Sequence, residues 1–329
     1  MQFCCCEENK VVLVTGGAGY IGSHTCKCLK EAGYLPVTYD SLVSGSTQAV
    51  QWGPLVIGDL TDIEALDQAF AVHKPYAVLH FAALKSVGES VTDPAIYYTK
   101  NIVGTVNLMN AMLKHRVKHI VFSSSCAVYG GGDALIDETR ERSPINPYAM
   151  SKYIGEKMIE DYGHAYDIDY VIFRYFNAAG FDPSTGVQRA ANSQAGVIPK
   201  ILLSLLDPLE PLRIFGDDYP TPDGSAIRDY IHVQDLAWAH VHALAYLETE
   251  KKSDVFNLGT GCGVSVFEVI RAIEQVTGQR VPYVVTDRRA GDVCSAIAAV
   301  NKSKEILGFE PLHSDLHEII ESEWASMQY

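Results

Sequence analysis

The regular pattern of the chain begins with a short apolar run, VVLV at 11–14, followed directly by TGGAGYIG. An unbroken aliphatic run without polar alternation predicts a strand buried on both faces, as in a parallel sheet. Residues 20–32 then carry a helical pattern closed by Gly33. The alternation repeats through the first half. Strands are predicted at 35–39, 55–58, 77–81, 119–123 and 169–175. Helices are predicted at 62–71, at 96–114 and from Pro147 to about Tyr166. In the second half the pattern predicts helices at 197–206, 233–247 and 267–278, strands at 255–258 and 281–286, and two short helices at the end. Ser265 is placed to cap the helix at 267–278. Arg228 and Asp229 fall in a polar stretch that reads as a loop before residue 233.

The first turn adds chemistry to this pattern. Gly16, Gly19 and Gly22 follow a strand and open a helix, with Tyr20 and Ile21 at its start. Glycines there allow a tight turn and a close approach, and free N–H groups at a helix start attract a pyrophosphate. Asp40 stands 24 positions beyond Gly16, at the end of the second strand. An acidic residue near that offset binds ribose hydroxyls and disfavours a 2′-phosphate, which selects NAD over NADP. Read alone, Asp40 is equally a strand-end turn residue. Strand ends line the ligand crevice of such sheets, so Asp59, Leu60, Phe81, Ala82 and Ala83 should face the cofactor. Lys85 is a phosphate contact or a solvated lysine, and Asn101 lies on the helix at 96–114. The predicted fold is α/β: a Rossmann-type doubly wound parallel sheet with a smaller C-terminal α/β substrate domain. Its first domain is expected to cover 1–176, rejoined by about 232–262, with the second at 177–329.

Two further stretches belong together. The strand at 119–123 runs into SSSCAVYG, and Pro147 opens a helix carrying Tyr148 and Lys152. Four residues apart, these two share a helical face. A phenol near pKa 10 is a poor base at neutral pH. A cationic lysine one turn away, with the helix dipole, favours the phenolate. Ser125 at the neighbouring strand end completes a serine–tyrosine–lysine site. Later in the chain Arg228 and Arg289 are candidate diphosphate clamps or ordinary surface ion pairs.

Composition narrows the partners. The net charge of −14, with 40 acidic against 26 basic side chains, argues against nucleic acid and anionic membranes. No run approaches the roughly 20 apolar residues of a membrane span. A first strand at Val11 is expected to leave no room for a signal peptide. The eight cysteines contain no C-x₂-C pair. They are expected to be free thiols of a cytoplasmic protein, with no metal.

The segments TGGAGYIG, HFAALKSVGES, FSSSCAVYG, NPYAMSKYIGE, FRYFN, IFGDDYPTPDG and RDYIHVQDLA occur in this order. Together they resemble the UDP-glucose 4-epimerase family of the extended short-chain dehydrogenase/reductase superfamily, over nearly the whole chain after its first ten residues. The resemblance implies a homodimer that interconverts UDP-glucose and UDP-galactose with a tightly held NAD. It implies that Gly16, Gly19, Tyr20, Ile21, Gly22, Asp40, Asp59, Leu60, Phe81, Ala82, Ala83, Lys85, Asn101 and Tyr175 hold NAD together with Tyr148 and Lys152. It assigns catalysis to Ser125, Tyr148 and Lys152. UDP-sugar binding falls to Lys85, Ser125, Tyr148, Asn177, Val197, Phe215, Arg228, Arg289, Asp292 and Ala296.

Two positions depart from the family pattern. Gly196 stands where a polar substrate contact is usual, which removes that contact or shifts it to Asn192. Ala296 replaces a large aromatic of some members, which leaves room for an N-acetylated sugar. The alternatives are a UDP-xylose/UDP-arabinose epimerase and a UDP-sugar dehydratase or reductase. A dehydratase would want an acidic residue beside the serine, and Cys126 and Ala127 stand there instead.

Overall fold

The computed structural model describes residues 10–131, 135–185, 196–206, 211–289 and 292–327. Asn192 lies outside the described residues. The strands in chain order are β1 (Val11–Thr15), β2 (Leu35–Asp40), β3 (Leu55–Ile57), β4 (Ala77–His80), β5 (His119–Ser125), β6 (Leu135–Ile136) and β7 (Asp169–Tyr175). There follow β8 (Asn177–Ala179), β9 (Leu212–Phe215), β10 (Ile227–His232), β11 (Asp254–Leu258), β12 (Gly263–Ser265), β13 (Tyr283–Thr286) and β14 (Ser295–Ala298).

Seven strands form one parallel sheet in the order β11-β7-β5-β4-β1-β2-β3. The aliphatic runs explain why. Val12, Leu13 and Val14 of β1 are all fully buried, because helices cover both faces. The helices are α1 (Tyr20–Glu31), α2 (Ile63–His73), α3 (Val87–Thr92), α4 (Pro94–Tyr97), α5 (Gly104–Lys114) and α6 (Pro147–Tyr166). Leu29 of α1 packs with Val12, Val14 and Leu79 on one face, while Leu108 and Met112 of α5 pack with Leu13 and Val78 on the other. The strand order reverses beside β1, which opens the crevice at the strand C-terminal ends.

The long helix expected at 96–114 is not continuous. It starts at Pro94, N-capped by Asp93, and passes through a π-turn at Tyr98–Val103 before α5. Asn101 sits in that turn and is buried. Helix α6 keeps its expected start: Asn146 Oδ1 accepts the Ala149 N–H at 2.9 Å, and Pro147 follows the cap. Asp167, in left-handed backbone, closes it.

The second half contributes α7 (Val197–Leu206), α8 (Val233–Glu250), α9 (Val266–Thr277), α10 (Asn301–Leu307) and α11 (Leu316–Met327). Helix α8 packs on α1, and β11 joins the large sheet beside β7. A smaller mixed sheet runs β12-β10-β14-β6, with β8 also on β10, and β9 pairs with β13. Helices α7, α9 and α11 cover a separate core around Ile201, Ile273 and Ile319. Ser265 and Glu268 form a reciprocal capping box at the start of α9.

The expected loop at Arg228 and Asp229 is corrected: both lie on β10. The polar pair hid a strand because Asp229 is fully buried. Its carboxylate accepts N–H bonds from Thr260, Gly261 and Ala298 at 2.8–3.1 Å and the Thr260 hydroxyl at 2.7 Å. Asp229 thereby fastens β14 and the GTGCG turn to β10, a role that hydrophobic periodicity cannot reveal.

Candidate active site

The glycine turn supplies a cradle in which side chains have no room. Gly16 has φ +74°, and a Cβ there would meet the Ala82 backbone nitrogen at 2.7 Å. A Cβ on Gly22 would lie 2.3 Å from the Gly16 carbonyl oxygen. Gly19 caps α1 with no side-chain hydrogen bond, and the first turn carries no acidic residue. A helix start left open in this way fits a pyrophosphate. Tyr20 and Ile21 form the first helical residues, and the Tyr20 hydroxyl donates to the Gly180 carbonyl of the second half.

Of the remaining cofactor candidates, Asp40 and the Phe81–Ala82 end of β4 stand against this turn. Asp40 is buried, with Oδ2 on Ala18 N–H at 3.0 Å and Oδ1 on Leu42 N–H at 2.8 Å. It is a turn aspartate and stands against the glycine turn at once. Asp59 accepts from Lys100 at 2.6 Å and from Thr61, which hold its carboxylate below the usual range. Leu60 is buried beneath Gly104. Phe81 and Ala82 both donate N–H bonds to Thr15 O, so the end of β4 folds over β1, with Ala83 and Lys85 beyond it. Asn101 braces this loop. Its Oδ1 accepts Leu84 N–H at 2.8 Å, and its amide donates to Leu84 O and to Ser151 Oγ on α6.

The three catalytic candidates come together where β5 ends against α6. The Tyr148 side chain is half-buried, with its phenol close to the Ser125 side chain. Ser125 Oγ also accepts Ala127 N–H at 3.2 Å. Lys152 is buried, donates to Ser123 O at 2.6 Å and lies 5.0 Å from the Phe122 ring centroid. Tyr175 ends β7 directly beside Ser125, its hydroxyl 2.5 Å from His240 Nε2. Burial pushes the Tyr148 phenol up to about 12, against the pull of the Ser125 hydroxyl. Burial also pulls Lys152 down to about 8, with Glu156 opposing it. The phenol therefore needs further positive charge close by before it serves as a base.

The opposite wall is built from the smaller sheet and its neighbours. Arg228 on β10 lies in register with Ala296 on β14, and Asn177 of β8 lies beside Tyr230. Ala296 is buried in a cluster with Val128, Tyr129 and Phe176, against which Cys126 packs, so it sits just beyond the Ser125 strand end. The Arg289 guanidinium lies 3.8 Å from the Phe215 ring centroid, and Asp292 N–H bonds Arg289 O at 3.2 Å. Arg289 is exposed, as is Arg288, which is bound to Asp218. Stacking on Phe215 holds Arg289 in place without burial. Gly196 has φ +141°, a conformation that L side chains rarely adopt, and it precedes Val197 at the start of α7. The loss of a polar residue there thus has a backbone reason.

Sequence reasoning missed Glu156. It is fully buried on α6, four residues beyond Lys152, and binds Arg174, Arg142 and Ser124. The Tyr-x-x-x-Lys-x-x-x-Glu spacing was its available signal.

A glycine cradle at the first helix and a serine–tyrosine–lysine group at the fifth strand define a class of nucleotide-dependent enzymes acting on hydroxyl carbons. Residues 12–259 match the NAD dependent epimerase/dehydratase family, and the chain belongs to it. Within that class its place is beside the UDP-glucose 4-epimerases. It is 45% identical over 318 residues to the UDP-glucose 4-epimerase of Rhizobium meliloti, covering 96% of this chain and 97% of that one. The crystal structure of UDP-glucose 4-epimerase from Brucella ovis in complex with NAD superposes with a TM-score of 0.92 at 45% identity, covering 96% of this chain and 98% of that one. The enzyme from Stenotrophomonas maltophila, with bound NAD and formylated UDP-arabinopyranose, gives a TM-score of 0.93 at 38% identity, covering 97% and 98%.

Proposed function

We propose that this chain is an NAD-dependent UDP-glucose 4-epimerase, acting through a 4-keto sugar. The observation that carries the reading is the gathering of Ser125, Tyr148 and Lys152 at the end of β5, two strands from the β1 glycine cradle, in a chain that matches such enzymes over 96% of its length. Gly16, Gly19, Gly22 and Asp40 would hold NAD. Bound NAD supplies reversible hydride transfer at the sugar C4. Tyr148 takes the 4-hydroxyl proton onto its phenol oxygen and later returns it. Ser125 holds the hydroxyl and relays the proton. Lys152 contributes the positive charge that makes the phenolate accessible.

Asn177, Val197, Phe215, Arg228, Arg289 and Asp292 grip the UDP portion, while Lys85 and Ala296 flank the sugar. Binding energy from the remote nucleotide then leaves the sugar free to present either face. The first domain is residues 1–176 with about 232–262, and the rest binds the UDP-sugar. UDP-N-acetylglucosamine is a second substrate in this reading, because Ala296 stands where some family members carry a large aromatic.

Exposed Val87, Val91, Ile96, Tyr98 and Val103 along α3–α5, and Tyr166 at the end of α6, support a homodimer through these helices. Light scattering should give twice the chain mass. A concentration-independent monomer would oppose it. No described helix is long and apolar enough to cross a membrane, and unpaired Cys26 and Cys28 suit the cytoplasm.

The test is incubation with UDP-glucose, UDP-xylose and UDP-N-acetylglucosamine separately, without added NAD. Formation of UDP-galactose supports the reading. A dehydrated or reduced product, or no product, would overturn it.

A further inference from the structure

Three consecutive residues at the end of β5 are each held by a different residue of α6. The Ser123 carbonyl accepts Lys152 Nζ at 2.6 Å. The Ser124 hydroxyl donates to Glu156 Oε1 at 2.5 Å. The Ser125 side chain lies near the Tyr148 phenol. On the helix the three partners are spaced by four, so they form one face aimed at the strand.

The middle rung differs from the other two because it is also tied outward. Glu156 is fully buried and takes Arg174 as a fork, with Nε 3.0 Å from Oε1 and Nη2 2.7 Å from Oε2. Arg174 lies in register with Ser124, and its neighbour Tyr175 lies in register with Ser125. Arg142 Nη1 reaches Oε2 at 2.9 Å, and the same guanidinium binds Glu160 at 2.8 Å. A buried carboxylate with two guanidinium partners and a hydroxyl has little freedom to move. His80 of β4 and Tyr175 of β7 also face this region, and neither carries a counter-charge.

We propose that Glu156 is a positioning residue: by tying Ser124 of β5 and Arg174 of β7 to the catalytic helix, it fixes the end of β5 against α6 so that Ser125 stands at Tyr148. The inference rests on the epimerase reading for its kinetic readout, but its structural readout needs no sugar. Ser123, Ser124 and Ser125 face Lys152, Glu156 and Tyr148 in that order, so the contacts cross instead of following the helix turn by turn, and all three tie one strand end to one helix. A slip of the strand breaks all three rungs together. Without the middle rung, the outer two carry the alignment alone.

The test compares Ser124→Ala, Ser124→Thr, Glu156→Gln and, as a control on the outer edge of the same ion cluster, Glu160→Gln. With UDP-glucose, Ser124→Ala should lower kcat about tenfold or more while KM stays within about twofold, as for an interaction made in the transition state. Ser124→Thr, which keeps the hydroxyl, should recover most of that loss. Glu156→Gln should lose more, and Glu160→Gln should match the wild type. Ser124→Ala leaves no buried charge unpaired, so it keeps the test open if Glu156→Gln fails to fold. In a crystal structure of Ser124→Ala the Ser125 hydroxyl should stand away from the Tyr148 phenol. Unchanged kcat, a kcat loss that Ser124→Thr does not recover, or an unmoved Ser125 would overturn the proposal. Failure of the wild type to convert UDP-glucose would overturn only the choice of reaction, because the crystal structure still decides the positioning.

Discussion

The two walls of the cleft are held by opposite means. On the β5–α6 side, Lys152, Glu156 and Arg174 are buried, and each polar atom has a partner fixed by the sheet register or the helix spacing. On the far side, Arg288 and Arg289 are exposed, and Arg289 is held by the Phe215 face instead of a carboxylate. The proposed chemistry accounts for the contrast. Proton and hydride transfer need sub-ångström placement, which burial and hydrogen bonding supply. A clamp on a nucleotide must release it, and an exposed guanidinium keeps most of its hydration until the ligand arrives.

The largest test of this contrast removes the phenol oxygen. Tyr148→Phe should fold and retain NAD but lose about 10²–10⁴-fold in kcat, the usual worth of a positioned acid–base group. A near wild-type kcat would place the base elsewhere. On the other wall, Arg228→Ala should raise KM for the UDP-sugar by about 10–100-fold through the loss of a charge-assisted contact, with kcat nearly intact. A fall in kcat at unchanged KM would move Arg228 to the chemical side. Ala296→Tyr should cost UDP-N-acetylglucosamine about 1–3 kcal/mol in kcat/KM relative to UDP-glucose. Equal treatment of both sugars by the two proteins would show that Ala296 does not face the acetamido group.

The smallest expected effect is on pH dependence. Burial lowers Lys152 to about 8, and its cationic form is the one that favours the Tyr148 phenolate. As pH rises through that value the cation is lost, so kcat/KM should decline on the alkaline side. A profile still climbing well above pH 8 would assign the limb to another group.

The parallel sheet was legible because residues buried on both faces leave apolar runs such as 11–14 and 120–122, and the glycine turn because its close contacts admit no side chain. Tyr148 and Lys152 were legible through helix spacing. Three features were not. The π-turn around Asn101 follows the helical pattern closely enough to read as α-helix, and the Asn101 bonds to Leu84 and Ser151 carry no local signature in the sequence. Strand β10 was hidden because its Arg–Asp pair is polar, although Asp229 is buried by three backbone donors from two other segments. Glu156 shares the helix face of Tyr148 and Lys152 by its spacing, but its partner Arg174 lies on β7, which that spacing does not reveal. Each miss is a polar residue whose partner lies far along the chain.

The central claim is that C4 loses and regains its own hydrogen within one cleft. UDP-glucose labelled with deuterium at C4, incubated in ordinary water without added NAD, tests this most directly. The account predicts UDP-galactose that retains the deuterium at C4. Label lost to solvent would contradict it, since the hydrogen would then have left as a proton.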